Sequence, residues 1–213
     1  HVDTLTSLNN LGLLQLAMGK HKMAETLCRG AMTGMEKVSG AAHPGTLTAC
    51  NNLAVVLLAM QEYHEAEALL RRVTENRTRT LPPTHPDTLT TMNDYAELLR
   101  TRAKYQQAEP LFRHVFGARE KVLGPSHPET LRSLNNLAVL LQSVGKHQEA
   151  ETLFRGALKS REAILGSGHP DTLTSMDNLS MLLHAMGKYQ AALLLCRNSL
   201  ERREESLGSA HPD

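Results

Sequence analysis

Residues 127–168 read HPETLRSLNNLAVLLQSVGKHQEAETLFRGALKSREAILGSG, and this stretch decides the fold. Leu131, Leu134, Leu137, Ala138 and Leu141 recur at spacings of three and four, the period of one helix face. Pro128 stands ahead of that stripe, where a helix tolerates a residue lacking a backbone donor. Gly145-Lys146 interrupts it, because glycine takes the left-handed conformation that closes a helix end at low cost. A second stripe follows in Ala150, Leu153, Phe154, Ala157, Leu158, Ile164 and Leu165, and Gly166 closes it. The spacing predicts two antiparallel helices of about sixteen residues, each roughly 24 Å long.

The pattern returns. His-Pro or a near variant stands at His1, His43, His85, His127, His169 and His211, every 42 residues. The chain is therefore one array of repeats 1–42, 43–84, 85–126, 127–168 and 169–210, with the start of a sixth at 211–213. Repeats four and five share 21 of 42 positions. A fixed period of this length means stacked units, each touching only its neighbours. Gly12, Ala54, Ala96, Ala138 and Ser180 keep one place on the first helix small. Ala24, Ala66, Ala108, Ala150 and Ala192 do so on the second. Small residues at a fixed place mark close approach of two backbones, with Leu11, Leu53, Tyr95, Leu137 and Leu179 filling the space around them.

Composition removes several function classes. The 23 basic and 22 acidic residues nearly cancel, so nothing favours nucleic acid or an anionic membrane. The longest apolar run, Leu53 to Met60, falls far short of the roughly 20 residues that span a bilayer. Three cysteines, with no C-x-x-C, point to a reducing, cytoplasmic compartment. Cys28, Cys50 and Cys196 fall where other repeats carry Leu, Met or Phe, and read as core substitutions. Phosphate-cradling glycine loops, zinc-protease helices and serine nucleophile elbows are absent, so no enzyme, cofactor or metal is expected. The periodic histidines cannot converge on one ion, because each sits at a different loop. A side chain satisfying nearby backbone groups ahead of Pro explains them better. The chain opens on His rather than Met and reads as a piece of something longer.

The small-residue spacing, the Gly-Lys-His/Tyr turn and the Leu/Phe pair resemble a tetratricopeptide repeat. The 42-residue form resembles the repeats of kinesin light chain, and the related arrays of nephrocystin-like and fungal NTPase proteins. Ala108-Glu109-Pro110-Leu111, Arg119 to Gly124, and Asn135-Asn136-Leu137-Ala138 carry the likeness. It implies an all-α, right-handed alpha-solenoid with a continuous concave groove lined by the first helices. By resemblance, the first residue of each Asn pair (Asn9, Asn51, Asn93, Asn135, with Asp177 last) faces that groove and holds a peptide backbone. Asn suits this because one tip carries both a donor and an acceptor. The second residue, as in Asn52 and Asn136, is expected to be shared with hydrogen bonds between repeats. Both could instead simply satisfy neighbouring helix ends.

Arg100 and Arg132 are the cations of the expected groove, offset by Glu97 and Asp177. Leu13, Val55 and Val139 stand where the superfamily's carboxylate clamp needs Asn, so a mixed polar and aliphatic peptide fits better than an acidic tail. The Glu25–Arg29, Glu67–Arg71, Glu109–Arg113 and Glu151–Arg155 pairs have the favourable acid-first spacing, and the arginine is expected to serve a second, inter-repeat role. Pro110 is expected in the first turn of its helix, and Gly30 and Gly34 are expected to weaken repeat one. The expected function is a non-enzymatic scaffold or adaptor that binds a peptide or protein segment. The alternative is a sensing or packing array of a larger NTPase-type regulator with no peptide ligand. Uncapped terminal repeats would favour end-to-end self-association.

Overall fold

The computed structural model describes residues 1–207. The start of the expected sixth repeat at 211–213 lies outside the described residues. Among the described residues there are ten helices and no strand: α1 (Val2–Ala17), α2 (His21–Ser39), α3 (Pro44–Ala59), α4 (Tyr63–Thr80), α5 (Pro86–Thr101), α6 (Tyr105–Leu123), α7 (Pro128–Ser143), α8 (His147–Leu165), α9 (Pro170–Ala185) and α10 (Tyr189–Leu207). The first helix of every repeat has 16 residues. The second has 19, or 18 in α4, and so exceeds the expected sixteen. The helices fall into two compact halves, His1–Lys104 and the residues from Tyr105 onward.

The periodic histidines set the starts. His43, His85, His127 and His169 are N-caps, each followed by Pro at the first helical position. Each Nδ1 accepts the backbone N–H two residues on, at 3.1–3.2 Å. The ring thereby does what Ser or Asp does at other helix starts, satisfying an orphan donor. It must do so as the neutral tautomer protonated on Nε2.

The stops are less uniform than the glycines suggest. In all five repeats the residue after the turn donates to the carbonyl five back, as Lys146 N–H does to Leu141 at 2.9 Å. That 6→1 bond requires positive φ at the residue before it. Gly19, Gly145 and Gly187 supply it, but in repeats two and three Gln61 (φ 63) and Ala103 (φ 55) are held there without glycine. A Cβ in that region is strained. Both side chains are exposed, so the strain has no packing return. Gln61→Gly and Ala103→Gly are each expected to stabilise by about 0.5–1 kcal/mol, read as higher urea midpoints.

Pro82 occupies the place where other repeats carry Gly40, Gly124 and Gly166. The residue before a proline is pushed out of the helical region, so Leu81 is extended (φ −121, ψ 156) and α4 stops one residue early.

The placements of Pro110 and Cys196 differ from expectation. Pro110 lies inside α6, which starts at Tyr105, so it is the sixth helical residue and not part of the first turn. Its ring deprives the Gln106 carbonyl of a helical donor. Gly34 is a packing residue as well as a helix weakener: a Cβ there would come within 2.5 Å of Leu5 Cδ2. The core runs through the small and branched positions. Ala24, Ala66, Ala108 and Ala150 are all 0 % exposed. Cys28 and Cys50 are buried as expected, and burial raises both thiol pKa values. Cys196, expected in the core, is exposed.

Candidate functional site

Helix packing shows which side of each half is the inner one. In the first half α3 packs against both α1 and α5, whereas no Cα of α2 comes within 8 Å of one in α4; in the second half α7 packs against α9. The first helices therefore lie closer together and line the inner face of each stack. Along them one stripe at spacings of four, three and four escapes burial. It comprises Thr6, Asn10, Leu13 and Ala17 on α1, then Thr48, Asn52, Val55 and Ala59 on α3, and Thr90, Asp94, Glu97 and Thr101 on α5. In the second half it comprises Arg132, Asn136, Val139 and Ser143 on α7, with Thr174, Asn178, Met181 and Ala185 on α9.

The Asn pairs straddle the edge of this stripe. Asn9, Asn51 and Asn93 are only 4 %, 6 % and 5 % exposed, and Asn135 and Asp177 are half-buried. Asn10 is exposed, and Asn52, Asp94, Asn136 and Asn178 are half-buried on the inner stripe. In repeats one to three burial reverses the expected order, the second member showing on the face and the first lying beneath it, whereas in repeats four and five both members are half-buried. Adjacent helical residues point about 100° apart, and the pair spans the boundary between core and face.

Both members tie repeats together, the second as expected. Asn51 Nδ2 donates to Asp94 Oδ2 at 3.0 Å, and Asn178 Nδ2 donates to Asn135 Oδ1 at 2.8 Å. Each bond joins the first member of one repeat to the second member of the next. Asp177 accepts from Ser199 Oγ at 2.9 Å and pairs with Arg203. Two acceptors stay unmatched: Asn9 Oδ1 and Asn51 Oδ1 are buried with no hydrogen-bond partner. Buried carbonyl oxygens rarely go without a donor.

Both groove arginines have carboxylate partners. Arg100 is clasped by Glu97 on its own helix, and Arg132 by Glu129 at 2.6 Å. The face is therefore polar and aliphatic, with Arg100 paired on its own helix and Arg132 sharing Glu129 with Arg119.

Behind the face lies a set of residues that the sequence reading passed over. Arg77, Arg119 and Arg161 are 4 %, 3 % and 8 % exposed, near the ends of α4, α6 and α8. Each reaches into the start of the next helix. Arg119 Nη1 donates to Ser133 Oγ at 2.7 Å and Nη2 pairs with Glu129 at 3.0 Å. Arg77 donates to Thr91 Oγ1 at 2.5 Å and to the Asp87 carbonyl at 2.9 Å. Arg161 donates to Ser175 Oγ at 2.6 Å and to the Asp171 carbonyl at 3.2 Å. Burial pushes the Arg77 and Arg161 pKa values below the ordinary arginine value, which the acids Asp87 and Asp171 partly offset. Repeat one has Met35 in the arginine's place, and Gly45 and Ala49 stand where the acid and the hydroxyl would be. Clasp and acceptors come and go together.

A second ladder runs between successive second helices. Glu109 takes Lys146 at 2.8 Å, and Glu151 takes Lys188 at 2.6 Å. Glu67 turns from the expected Arg71 to Arg102 at 2.5 Å and Lys104 at 2.6 Å. These lysine contacts hold all three carboxyls below the usual range. Arg29 and Arg113 do take the inter-repeat role expected of them, pairing with Glu65 at 2.6 Å and Glu149 at 2.8 Å.

Among the described residues no helix is long and apolar enough to cross a membrane. No curated protein is significantly similar to the chain. Solved structures are. The TPR-like repeats of a Podosopora anserina protein described as a kinesin light chain share 27 % identity, covering 98 % of this chain and 99 % of that one, at a TM-score of 0.86. BtubC (BKLC) from P. vanneervenii has 18 % identity over 100 % of this chain and 84 % of its own, at 0.83. A Rap protein complexed with competence and sporulation factor has 13 % identity over 93 % of this chain and 53 % of its own, at 0.75. These likenesses show a solenoid of tandem helical hairpins, the fold of protein-interaction scaffolds. The pattern of the tetratricopeptide repeat matches residues 3–79, 49–121, 87–163 and 129–205, and the chain belongs to the tetratricopeptide repeat family.

Proposed function

We propose that the inner stripe binds an extended peptide or protein segment, as a kinesin-light-chain-like adaptor would. The observation that carries this reading is the carboxamides along the inner face of each half. Asn10 and Asn52 in the first half, and Asn136 and Asn178 in the second, stand half-buried or exposed among Thr, Val and Met. An amide offers a peptide backbone both a donor and an acceptor, and the flanking aliphatics suit short apolar side chains. Asn9, Asn51, Asn93, Asn135 and Asp177 support these carboxamides, and the unmatched Asn9 and Asn51 oxygens leave acceptors that a small side-chain rotation would offer. Arg100 and Arg132 orient the segment through their paired carboxylates instead of drawing in acidic cargo. The complex of a Rap protein with competence and sporulation factor is a precedent for a bound partner on a like fold. With seven aromatic residues and no Trp, the face lacks the usual anchors, so affinity for one peptide is expected to be modest.

The inter-repeat bonds from Asn51 and Asn178 favour a second reading, in which the amides serve packing within a larger regulator and no peptide binds.

A peptide-display selection against the array separates the two, counter-screened with Asn10→Ala/Asn52→Ala and, separately, Asn136→Ala/Asn178→Ala. Enriched peptides that lose at least tenfold in affinity for one variant, with its helicity unchanged, support binding. Enrichment of none, or of peptides indifferent to both variants, sinks it.

A further inference from the structure

We infer that the first half carries a binding site for a phosphate monoester dianion, set where α4 meets the turn after α5. A cavity of about 260 Å³ opens there, lined by His64, Glu67, Ala68 and Arg71 on α4 and by Arg102 and Lys104 in the turn. All six belong to repeats two and three, which have neighbours on both sides in the chain, and none belongs to the inner stripe. The α4 residues stand at spacings of three and four and share one helix face. Three cations here meet one carboxylate, which leaves positive charge in excess. Glu67 is taken by Arg102 at 2.5 Å and Lys104 at 2.6 Å. Arg71 is exposed, and no carboxylate among the described residues pairs with it. His64, also exposed, adds a ring N–H donor.

Substitutions confined to this place in the array create the excess. Arg102 stands where the other repeats carry Met18, Met60, Val144 and Met186. In the second half Glu109 and Glu151 each take the arginine four residues on and one lysine from the following turn. Around Glu67 the additional Arg102 takes the first of those places, and Arg71 is set free. Between repeats one and two the places of Arg102 and Lys104 hold Met60 and Glu62, and Glu65 neutralises Arg29. Ala68 makes the room, since Thr26, Pro110, Thr152 and Leu194 are all larger at its place. A water's share of the liquid is about 30 Å³, so the cavity admits a phosphoryl group with its linking oxygen. That group carries about −1.5 to −2 charges near neutral pH, which matches the excess. Its three oxygens suit two guanidinium forks and an ammonium. No Phe, Tyr or Trp lines the cavity to stack on a base, so the site reads the phosphoryl group and leaves the rest of the ligand in solvent. A phosphorylated protein side chain and a free phosphorylated metabolite present the same group.

Nuclear magnetic resonance titration of the 213-residue chain with O-phosphoserine at low ionic strength tests this. Saturable shifts are expected at the Ala68 methyl and the His64 ring, weakening as salt rises, whereas serine should give none. Arg71→Ala and Arg102→Met are each expected to weaken binding about fivefold or more. Met60 and Met186 hold the same turn elsewhere, so the second variant should keep its fold. Ala68→Leu alters no charge and is expected to abolish binding by filling the cavity. Glu67→Gln removes the competing carboxylate and is expected to tighten binding, an effect that a purely structural role for Glu67 would not produce. Absence of saturation, shifts scattered over distant lysines, an affinity indifferent to Ala68→Leu or Arg71→Ala, or weaker binding by Glu67→Gln would overturn the proposal. If Glu67→Gln lowers helicity by circular dichroism, Ala68→Leu and Arg71→Ala still decide it, since both sites are exposed. Glycerol phosphate and a phosphoserine-containing peptide distinguish the sources. Tighter binding of the peptide assigns the site to a phosphorylated partner, and equal binding to the phosphoryl group alone; both support the site.

Discussion

Arg119→Ala is expected to lower the stability of the array by about 3–5 kcal/mol, visible as a large drop in urea midpoint with helicity retained at zero denaturant. Arg119 is 3 % exposed, and its guanidinium joins the end of α6 to the start of α7 through Ser133, Glu129 and the Glu129 carbonyl. Truncation removes the donor to the buried Ser133 hydroxyl and opens a cavity where the stem lay, while the Glu129 carboxylate keeps Arg132 and its carbonyl keeps the Ser133 hydroxyl. The lost charge-assisted bonds and the cavity together make up the cost. Arg119→Met/Ser133→Ala should recover most of the loss. That pair reproduces Met35 and Ala49, which close the junction after repeat one with both positions buried. A buried ion pair replaced by well-packed apolar groups is often nearly neutral. The two substitutions should therefore be strongly non-additive. A cost for Arg119→Ala below about 1 kcal/mol, or simple additivity in the double variant, would show that the clasp does not hold the repeats together.

The clasp also shows where the sequence stops being legible. The period of 42 and the two apolar stripes per repeat are enough to specify ten helices, because stacking is the only way each hairpin can bury its stripe. The helix starts follow from His-Pro, and three of the five tight turns from glycine. Gln61 and Ala103 escape notice because the turn they make is enforced by packing on either side, not by their own preference. Arg119 escapes for a different reason. Its neighbours Glu120 and Lys121 are exposed, and Arg-Glu-Lys reads as the solvated end of an amphipathic helix. The detectable signal was comparative: Met35, Gly45 and Ala49 lose the arginine, the acid and the hydroxyl together. The Asn pairs are legible as a ladder, yet which member is buried depends on a rotation of about 100°. The stripe alone could not resolve that rotation.

Phe154→Ala in α8 is expected to cost about 3–5 kcal/mol, and Phe154→Leu only about 1–1.5 kcal/mol. The ring is 0 % exposed, on the same helix face as Ala150 and Ala157, which are also 0 % exposed. Alanine would leave a cavity that the paired helices cannot close, because Ala150 and Ala157 already bring the backbones near. Leucine is tolerated at this place, as Leu70 shows in repeat two, with 0 % exposure. Cys28 shows how a small residue is accommodated. A Cβ on Gly12 would collide with Cys28 Sγ, so in repeat one the helices approach until the thiol fills the space. Repeat four has Ala138 where that glycine stands, and its Cβ keeps the helices apart. Phe154→Cys alone should therefore behave much like Phe154→Ala. Adding Ala138→Gly should recover little, because glycine inside α7 costs about 1 kcal/mol of its own. Urea melts of the three single variants and the double variant test this ordering. Phe154→Cys as stable as Phe154→Leu would mean that the helices close on the smaller side chain without glycine.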